Sequence, residues 1–162
     1  MRAKIGFYKG GNNWYDKVVM WWTKSPYTHA ELVMPDGRTW ISIRPHEDDF
    51  PTQLLKKEKT KFMKEKWDFV DLEITPEQRE VILEFYEETK GCKYDWFGMI
   101  VSHLTSYKVK RKGRWYCSEW IAYALRTAGV ISWKDIKLYE RHDMSPGALY
   151  KICSSAEALV SL

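Results

Sequence analysis

The dipeptide Asp36-Gly37 constrains the fold of this chain strongly, because it lies between two runs of β-type residues. The first run covers residues 27–34 and the second covers residues 38–44. Asp-Gly between such runs is the strongest short-range signal for a β-hairpin, since a type I′ turn needs positive φ at both central residues. The sequence therefore predicts two antiparallel strands joined by a tight turn.

The register of this hairpin decides which side chains share a face of the sheet. With Asp36 and Gly37 as the loop, Pro35 pairs with Arg38, and Glu31 then lies opposite Ser42. Side chains alternate along a strand with period two. One face should therefore carry His29, Glu31, Val33, Trp40, Ser42 and Arg44. A slip of one residue would move Ser42 to the other face.

Local signals also predict the remaining elements. They are a strand at 3–8, a helix at 14–22, a strand at 67–74, a helix from Pro76 to about Lys90, a helix at 95–104, and a short last helix from Pro146 that frays beyond Ser154, with irregular charged chain at 45–66. The capping box Thr75-Pro76-Glu77-Gln78 makes the helix from Pro76 the most secure of these. The tryptophans of the 14–22 helix are expected in the core, with a membrane-surface helix as the alternative.

Length and composition predict one folded domain over residues 1–162. The chain is 44% hydrophobic and 30% charged, which is typical of a globular protein. It has neither a signal-peptide pattern nor a long apolar run, so we expect a cytoplasmic protein. The net charge of +4 is concentrated in basic runs at 56–66 and 108–114. Both runs are expected to be solvated loops, with an anionic partner such as phospholipid headgroups or nucleic acid as the alternative.

Three cysteines, Cys92, Cys117 and Cys153, predict neither a disulfide framework nor a zinc ribbon, because their number is odd and no C-x-x-C spacing occurs. The histidines likewise lack the helical spacing of a metal site. We therefore expect no metal and no cofactor.

Cys117 begins the apolar stripe of a predicted amphipathic helix that ends before Gly129. Apolar residues follow it at Trp120, Ile121, Ala124, Leu125 and Ala128. A cysteine in the first turn lies near unpaired backbone N–H groups and the positive end of the helix dipole, which favour the thiolate. The same groups can stabilise an oxyanion. Position alone still leaves an inert core thiol as the simpler interpretation.

A nucleophilic cysteine needs a base within hydrogen-bond reach and a third group that orients the base. His29 fits this role best, because it lies on a predicted strand and shares a face with Glu31 and Ser42. The other histidines fit less well: His103 is expected to pack in a helix, and His46 and His142 lie in charged loops.

Four blocks of sequence, spanning residues 27 to 128, carry a resemblance to a known family. They are Tyr27-Thr-His-Ala-Glu-Leu-Val33, the Asp36-Gly37 hairpin, Gly91-Cys-Lys-Tyr-Asp-Trp96, and Tyr116-Cys-Ser-Glu119 with the apolar helix after it. In this order they resemble the circularly permuted papain-like, NlpC-type cysteine hydrolases. That group includes the YiiX-like bacterial and phage proteins and, more distantly, the lecithin:retinol acyltransferases.

The resemblance implies a small α+β core in which the cysteine helix packs on an antiparallel sheet or half-barrel. It also implies that Cys117 is the nucleophile and His29 the base. The third catalytic position of the family, an acid or a histidine, falls on Ser42, which cannot supply negative charge, so Glu31 is the alternative orienting group. Glu119 is equally consistent with a structural anchor, and Tyr94 and Tyr116 are expected to serve packing more than the site.

The predicted function is that of a cysteine hydrolase acting on an amide, ester or thioester through an acyl-enzyme. Two substrate classes are open, cell-wall peptides in a phage context and lipid-like acyl groups at a membrane surface. A rival hypothesis is a non-catalytic module of the same fold that binds an anionic partner through residues 108–114. No specific nucleic acid is predicted, and the oligomeric state is left open.

Overall fold

An antiparallel five-stranded sheet with helices packed on it forms the frame of this mixed α+β protein. The computed structural model describes residues 1–11, 14–43, 54–59, 62–95, 113–132 and 144–160. Their elements are β1 Arg2–Lys9, α1 Trp14–Thr23, β2 Tyr27–Val33, β3 Thr39–Ile43, β4 Leu54–Glu58, a 3₁₀ turn Lys64–Lys66, β5 Trp67–Glu73, α2 Pro76–Thr89, β6 Lys93–Tyr94, β7 Arg114–Trp115, α3 Cys117–Thr127 and α4 Pro146–Val160. No helix in these ranges is long and apolar enough to span a bilayer.

The sheet has the strand order β4-β3-β2-β1-β5, and each neighbouring pair is antiparallel. One face carries the main core, because alternate residues of β1 to β3, such as Phe7, Leu32 and Ile41, point toward the helices and are fully buried. The opposite face carries a smaller aromatic cluster of Val33, Trp40 and Trp67. Side chains therefore cover both faces of the sheet. Strand β2 is its central strand, between β3 and β1.

The predicted hairpin register is confirmed. Leu32 pairs with Ile41 and Val33 with Trp40, and this register places Glu31 opposite Ser42. The predicted turn type is wrong, because Gly37 has a φ of 68° whereas Asp36 is not in the positive-φ region. Proline at the second turn position fixes φ near −65°, which favours a type I turn followed by a left-handed glycine.

Asp36 stabilises this turn through its side chain. Its carboxylate accepts hydrogen bonds from the backbone N–H groups of Arg38 at 2.9 Å and Thr39 at 2.8 Å. Burial raises the pKa of Asp36, but the hydrogen bonds from Thr39 and Arg38 together outweigh it and lower the pKa. The turn thus keeps the register although its backbone differs from the predicted one.

Three other expectations are corrected. Residues 54–58, expected to be irregular, form β4 because their backbone pairs with β3, from Thr39–Glu58 to Ile43–Leu54. The last helix continues to Val160 instead of fraying at Ser154, since Ala156-Glu-Ala-Leu-Val160 consists largely of good helix formers. Trp21, expected in the core, is 78% exposed. The predicted helix at 95–104 lies almost wholly outside the described residues.

The capping box at Thr75 is confirmed and secures α2. Gln78 N donates to Thr75 Oγ1 at 3.2 Å, and Thr75 N donates to Gln78 Oε1 at 3.0 Å. The next helix along the described chain, α3, packs against α2 and β2. Its buried face includes Trp120, Ile121, Ala124 and Leu125, as the helical spacing predicts. The Cys117 end of α3 is thereby held against the histidine strand.

Candidate active site

Cys117 is the first residue of α3, as its sequence position predicts. The preceding residue, Tyr116, is extended at φ −106° and ψ 164°, and within the described chain its side chain makes no capping hydrogen bond. The first helical backbone bond runs from Trp120 N to Tyr116 O at 3.0 Å. The N–H groups of the first turn therefore lie at the cysteine without a helical acceptor, where they can stabilise negative charge.

Ser118 fixes this end of the helix to the segment that precedes α4. Its hydroxyl is fully buried and donates to Met144 O at 2.5 Å. Because the bond spans 26 residues of sequence, it ties two distant segments together at the cysteine. This hydrogen bond consequently fixes the backbone directly after Cys117 to the segment before α4.

His29 and Glu31 lie two residues apart on β2, so their side chains share one face. His29 Nε2 is 3.3 Å from Glu31 Oε1. The Glu31 side chain has no exposed surface, and the His29 side chain is 13% exposed. Glu31 is therefore placed to orient the imidazole ring.

The sulfur of Cys117 lies in a setting that favours the thiolate. Cys117 is only 3% exposed, and burial by itself raises the pKa of its thiol. The positive charge and proximity of His29, with the backbone N–H groups of Ala30 and Ser118, outweigh that effect and lower the pKa below its ordinary value. Ala30 is free to contribute because the described β2–β3 ladder ends at Leu32.

The pKa of His29 moves in the complementary direction. Burial lowers it, but the negative charge of Cys117 and the carboxylate of Glu31 raise it to about 9. The lowered pKa of Cys117 and the raised pKa of His29 both favour the thiolate–imidazolium form of the pair over its neutral form. Neither ring nitrogen makes a well-aligned hydrogen bond to any residue the structure describes, so charge and proximity hold the pair together. Catalytic hydrogen bonds are often poorly aligned before substrate binds.

Tyr94 is a further member of the site, although the sequence favoured packing for it. Its ring is 4% exposed, and β6 pairs in parallel with β7 so that Tyr94 lies beside Trp115, two residues before the cysteine. Burial, the charge of Cys117 and a hydrogen bond to its sulfur raise the pKa of Tyr94 well above its usual range, with smaller effects from Asp95 and Glu119. The phenol therefore remains a proton donor aimed at the sulfur.

The second carboxylate oxygen of Glu31 contacts a lysine that the sequence did not indicate. Lys59 Nζ donates to Glu31 Oε2 at 3.0 Å, and the lysine side chain is 13% exposed. The sequence placed Lys59 in a solvated charged run, which is wrong for this residue. Only the register of β4, which sequence reasoning missed, could have indicated its position.

The structure thus brings together Cys117, His29 and Glu31. Ser42 is buried on β3 and pairs with Leu55 across the β3–β4 ladder, and it makes no hydrogen bond to the His29 ring. Glu119 lies in the first turn of α3. The other candidate histidines, His46, His103 and His142, fall outside the described residues. No group of three or more His, Cys, Asp or Glu side chains within the described ranges is arranged to hold a metal ion.

Comparison of the chain with protein-family models, with curated proteins and with solved structures gives no match.

Proposed function

We propose that this protein is a cysteine hydrolase that cleaves an acyl bond through a covalent thioester intermediate. The observation that carries the proposal is the juxtaposition of Cys117, at the start of a helix, with His29 and the buried Glu31 on a neighbouring strand. Nucleophile, base and orienting group in this arrangement are the requirements of thiol-based acyl transfer.

The first half-reaction begins with the proton of Cys117 on His29. The thiolate attacks the carbonyl carbon of an amide, ester or thioester, and the carbonyl electron pair moves onto oxygen. First-turn N–H groups of α3 and the Tyr94 hydroxyl stabilise this oxyanion. Its collapse breaks the bond to the leaving group, which takes the proton from His29 and departs.

The second half-reaction regenerates the thiol. His29, now neutral, takes a proton from water as the water oxygen attacks the thioester carbonyl. The tetrahedral intermediate collapses, the carbon–sulfur bond breaks, and the acyl group leaves as a carboxylic acid. Glu31 holds the ring in place through both steps, which is the role that the family resemblance gives to a third polar group.

The same geometry supports a permuted papain-like architecture. In that arrangement the histidine strand precedes the cysteine helix, and here β2 precedes α3 by more than 80 residues, from Val33 to Cys117. An antiparallel sheet with the cysteine helix packed on β2 fits the same expectation. We propose this fold for the chain together with its activity.

One further observation bears on the substrate class. Trp21 is 78% exposed on α1, where a large apolar side chain favours a membrane surface over bulk water. A lipid-like acyl substrate is therefore a second candidate beside a peptide amide.

An activity-based probe screen tests the proposal. Electrophilic acyl probes of the amide, ester and thioester classes are incubated with wild type and with Cys117→Ala, and labelling is mapped by mass spectrometry. We expect covalent labelling at Cys117 that is absent in Cys117→Ala, with Cys92 and Cys153 unlabelled. Labelling of the partly exposed Cys92 at the same rate as Cys117 would contradict the proposal, because it would reveal ordinary thiol reactivity.

A further inference from the structure

Lys59 follows β4 directly, and its position is fixed by its backbone as well as by its side chain. Lys59 N donates to Arg38 O at 2.9 Å, which extends the β3–β4 pairing by one residue. Its side chain then turns onto the face of the sheet that carries Glu31, where Nζ reaches Oε2 at 3.0 Å. A mobile surface lysine would not combine these two contacts with 13% exposure.

Two tryptophans clamp the ammonium group of Lys59. Nζ lies 4.3 Å from the ring centroid of Trp40 and 4.2 Å from that of Trp67. The two rings meet edge to face, 5.4 Å apart with an interplanar angle of 83°. Cation–π attraction of this kind strengthens when the cation is removed from water.

The backbone makes room for this clamp at Gly6. A Cβ at this position would approach the Trp67 ring to 3.0 Å and the Phe69 ring to 3.1 Å, closer than side chains normally pack. Glycine at this strand position thus lets the Trp67 ring pack closely against β1. The aromatic cluster on this face of the sheet consequently ends in a site that accepts one cation.

Glu31 needs such a cation, because a carboxylate with no exposed surface is costly to keep ionised unless it is paired. His29 can supply a charge only while it is protonated, and catalysis requires it to lose that proton. Lys59 takes no part in that proton transfer. Its ammonium is therefore a constant partner for Glu31 while the imidazole changes charge.

We propose that Lys59 is a positioning residue of this site: its ammonium, clamped by Trp40 and Trp67, keeps the buried Glu31 ionised against the His29 ring. The order of contacts is Lys59, Glu31, His29 and Cys117. This inference rests on the proposed thiolate chemistry, and it extends that chemistry to a residue directly after β4. Lys59 touches neither the sulfur nor the reacting carbonyl, so it acts only through Glu31.

The titratable groups around this chain of contacts come from several elements. Glu31 faces His29 within β2 and Lys59 after β4, and it lies opposite Ser42 on β3. His29 faces Cys117 of α3 and lies across from Tyr8 on β1. Near the sulfur are Tyr94 with Asp95 after β6, and Glu119 of α3. Within this described set Lys59 is the constant positive charge at Glu31 itself.

The test measures the pH at which Cys117 becomes reactive. Wild type, Lys59→Met and Lys59→Arg are alkylated with iodoacetamide across pH, and the Cys117 peptide is quantified by mass spectrometry. In Lys59→Met we expect Glu31 to take up a proton and His29 to lose its anionic partner. The midpoint for Cys117 should rise by one pH unit or more, with an approximately tenfold loss of rate near neutral pH. Lys59→Arg keeps the charge and should restore the wild-type midpoint.

The matched control is Lys56→Met. Lys56 lies on β4, three residues before Lys59, and its amine is 3.9 Å from Glu87 and 5.1 Å from the Tyr86 ring centroid, both on α2. Its loss should leave the midpoint unchanged. If Lys59→Met does not fold, Lys59→Gln carries the same prediction, since it keeps a hydrogen-bond donor without the charge.

Two further results decide between this inference and the proposed function. Glu31→Gln and the double variant Glu31→Gln with Lys59→Met should share one midpoint, because Lys59 acts through the carboxylate. If the alkylation midpoint of Cys117 in Lys59→Met equals that of wild type, or lies at lower pH, Lys59 does not have the proposed role. The proposed thiolate would be unaffected by that result. An ordinary thiol midpoint in wild type would instead overturn the proposed function.

Discussion

At the scale of single residues, two opposing effects set the state of Cys117. Burial favours the neutral thiol, whereas His29 and the N–H groups of Ala30 and Ser118 favour the thiolate, and the net result is a lowered pKa. A core cysteine with the same burial and no such partners moves the other way, as Cys153 does with a pKa raised to about 12. The difference between a packing thiol and a nucleophile therefore lies in the neighbours and not in the burial.

Tyr94 is the neighbour whose role is simplest to isolate. Tyr94→Phe removes one hydroxyl donor from the sulfur while keeping the buried ring. We expect Cys117 labelling by an acyl probe to slow by about tenfold or more, because a donor to the thiolate and to the oxyanion is lost. Tyr86→Phe is the control, since that buried hydroxyl accepts from Lys56 N at 3.1 Å, away from the site. Equal rates for Tyr94→Phe and wild type would remove Tyr94 from the mechanism.

Glu31 gives a prediction about stability at the same scale. Glu31→Gln leaves the ammonium of Lys59 without its carboxylate, and breaking a buried ion pair by removing one partner costs about 3 kcal/mol or more. Removing both charges, by combining Glu31→Gln with Lys59→Met, should recover much of that loss. Chemical denaturation of the two variants and wild type measures this. A double variant less stable than Glu31→Gln would contradict the expected recovery and would show that the contacts of Lys59 with Trp40 and Trp67 stabilise the fold without the carboxylate.

At the scale of elements, local signals predicted what depends on local geometry. The Asp36-Gly37 hairpin register, the capping box at Thr75 and the helix that begins at Cys117 all follow from neighbours within a few residues, and the structure contains each of them. The type I′ turn was wrong because Pro35 favours a different backbone. β4 could not be predicted, since Leu54–Glu58 has no alternating pattern and becomes a strand only by pairing with β3.

The same reasoning explains what could be predicted of the site. His29 and Cys117 were found because a strand histidine and a helix-start cysteine each have a recognisable setting. Glu31 followed from the period of the strand. Lys59 was missed because its position depends on the unpredicted β4, and Tyr94 because the short parallel pairing of β6 with β7 leaves no pattern in sequence.

The capping box allows the stability of an element to be separated from the chemistry of the site. Thr75→Ala removes the hydroxyl that accepts from Gln78 N, and we expect a loss of about 1 kcal/mol in the free energy of unfolding. Thermal unfolding should detect this as a melting temperature lower by about 2–4 °C. The pH profile of Cys117 alkylation should stay as in wild type. A shifted profile would show that α2 controls the site through its packing on α3.

At the scale of the whole molecule, the sheet separates two kinds of packing. Helices α2 to α4 cover one face with an aliphatic and aromatic core, while Trp40, Trp67 and their neighbours cover the other. The proposed catalytic residues lie where the pairing of β2 with β3 ends, and side chains from both faces of the sheet contact them there. Cys117 comes from the helical side and Lys59 from the aromatic side.

The exposed tryptophan of α1 leads to a prediction about the substrate surface. If the acyl substrate is lipid-like, wild type should co-sediment with anionic phospholipid vesicles, and Trp21→Ser should reduce the bound fraction severalfold. Leu55→Ser, at a second exposed apolar side chain on β4, is the control. Absence of wild-type binding would favour a soluble peptide amide as the substrate.

The most direct test of the central claim is the pH titration of Cys117 alkylation in wild type and in His29→Ala, read by mass spectrometry. We predict that wild-type Cys117 reacts as a thiolate at a pH well below that of an ordinary thiol. In His29→Ala burial remains without the countercharge, so the midpoint should rise above the ordinary thiol range. An ordinary midpoint that is the same in both proteins would contradict the thiolate–imidazolium pair and with it the proposed activity.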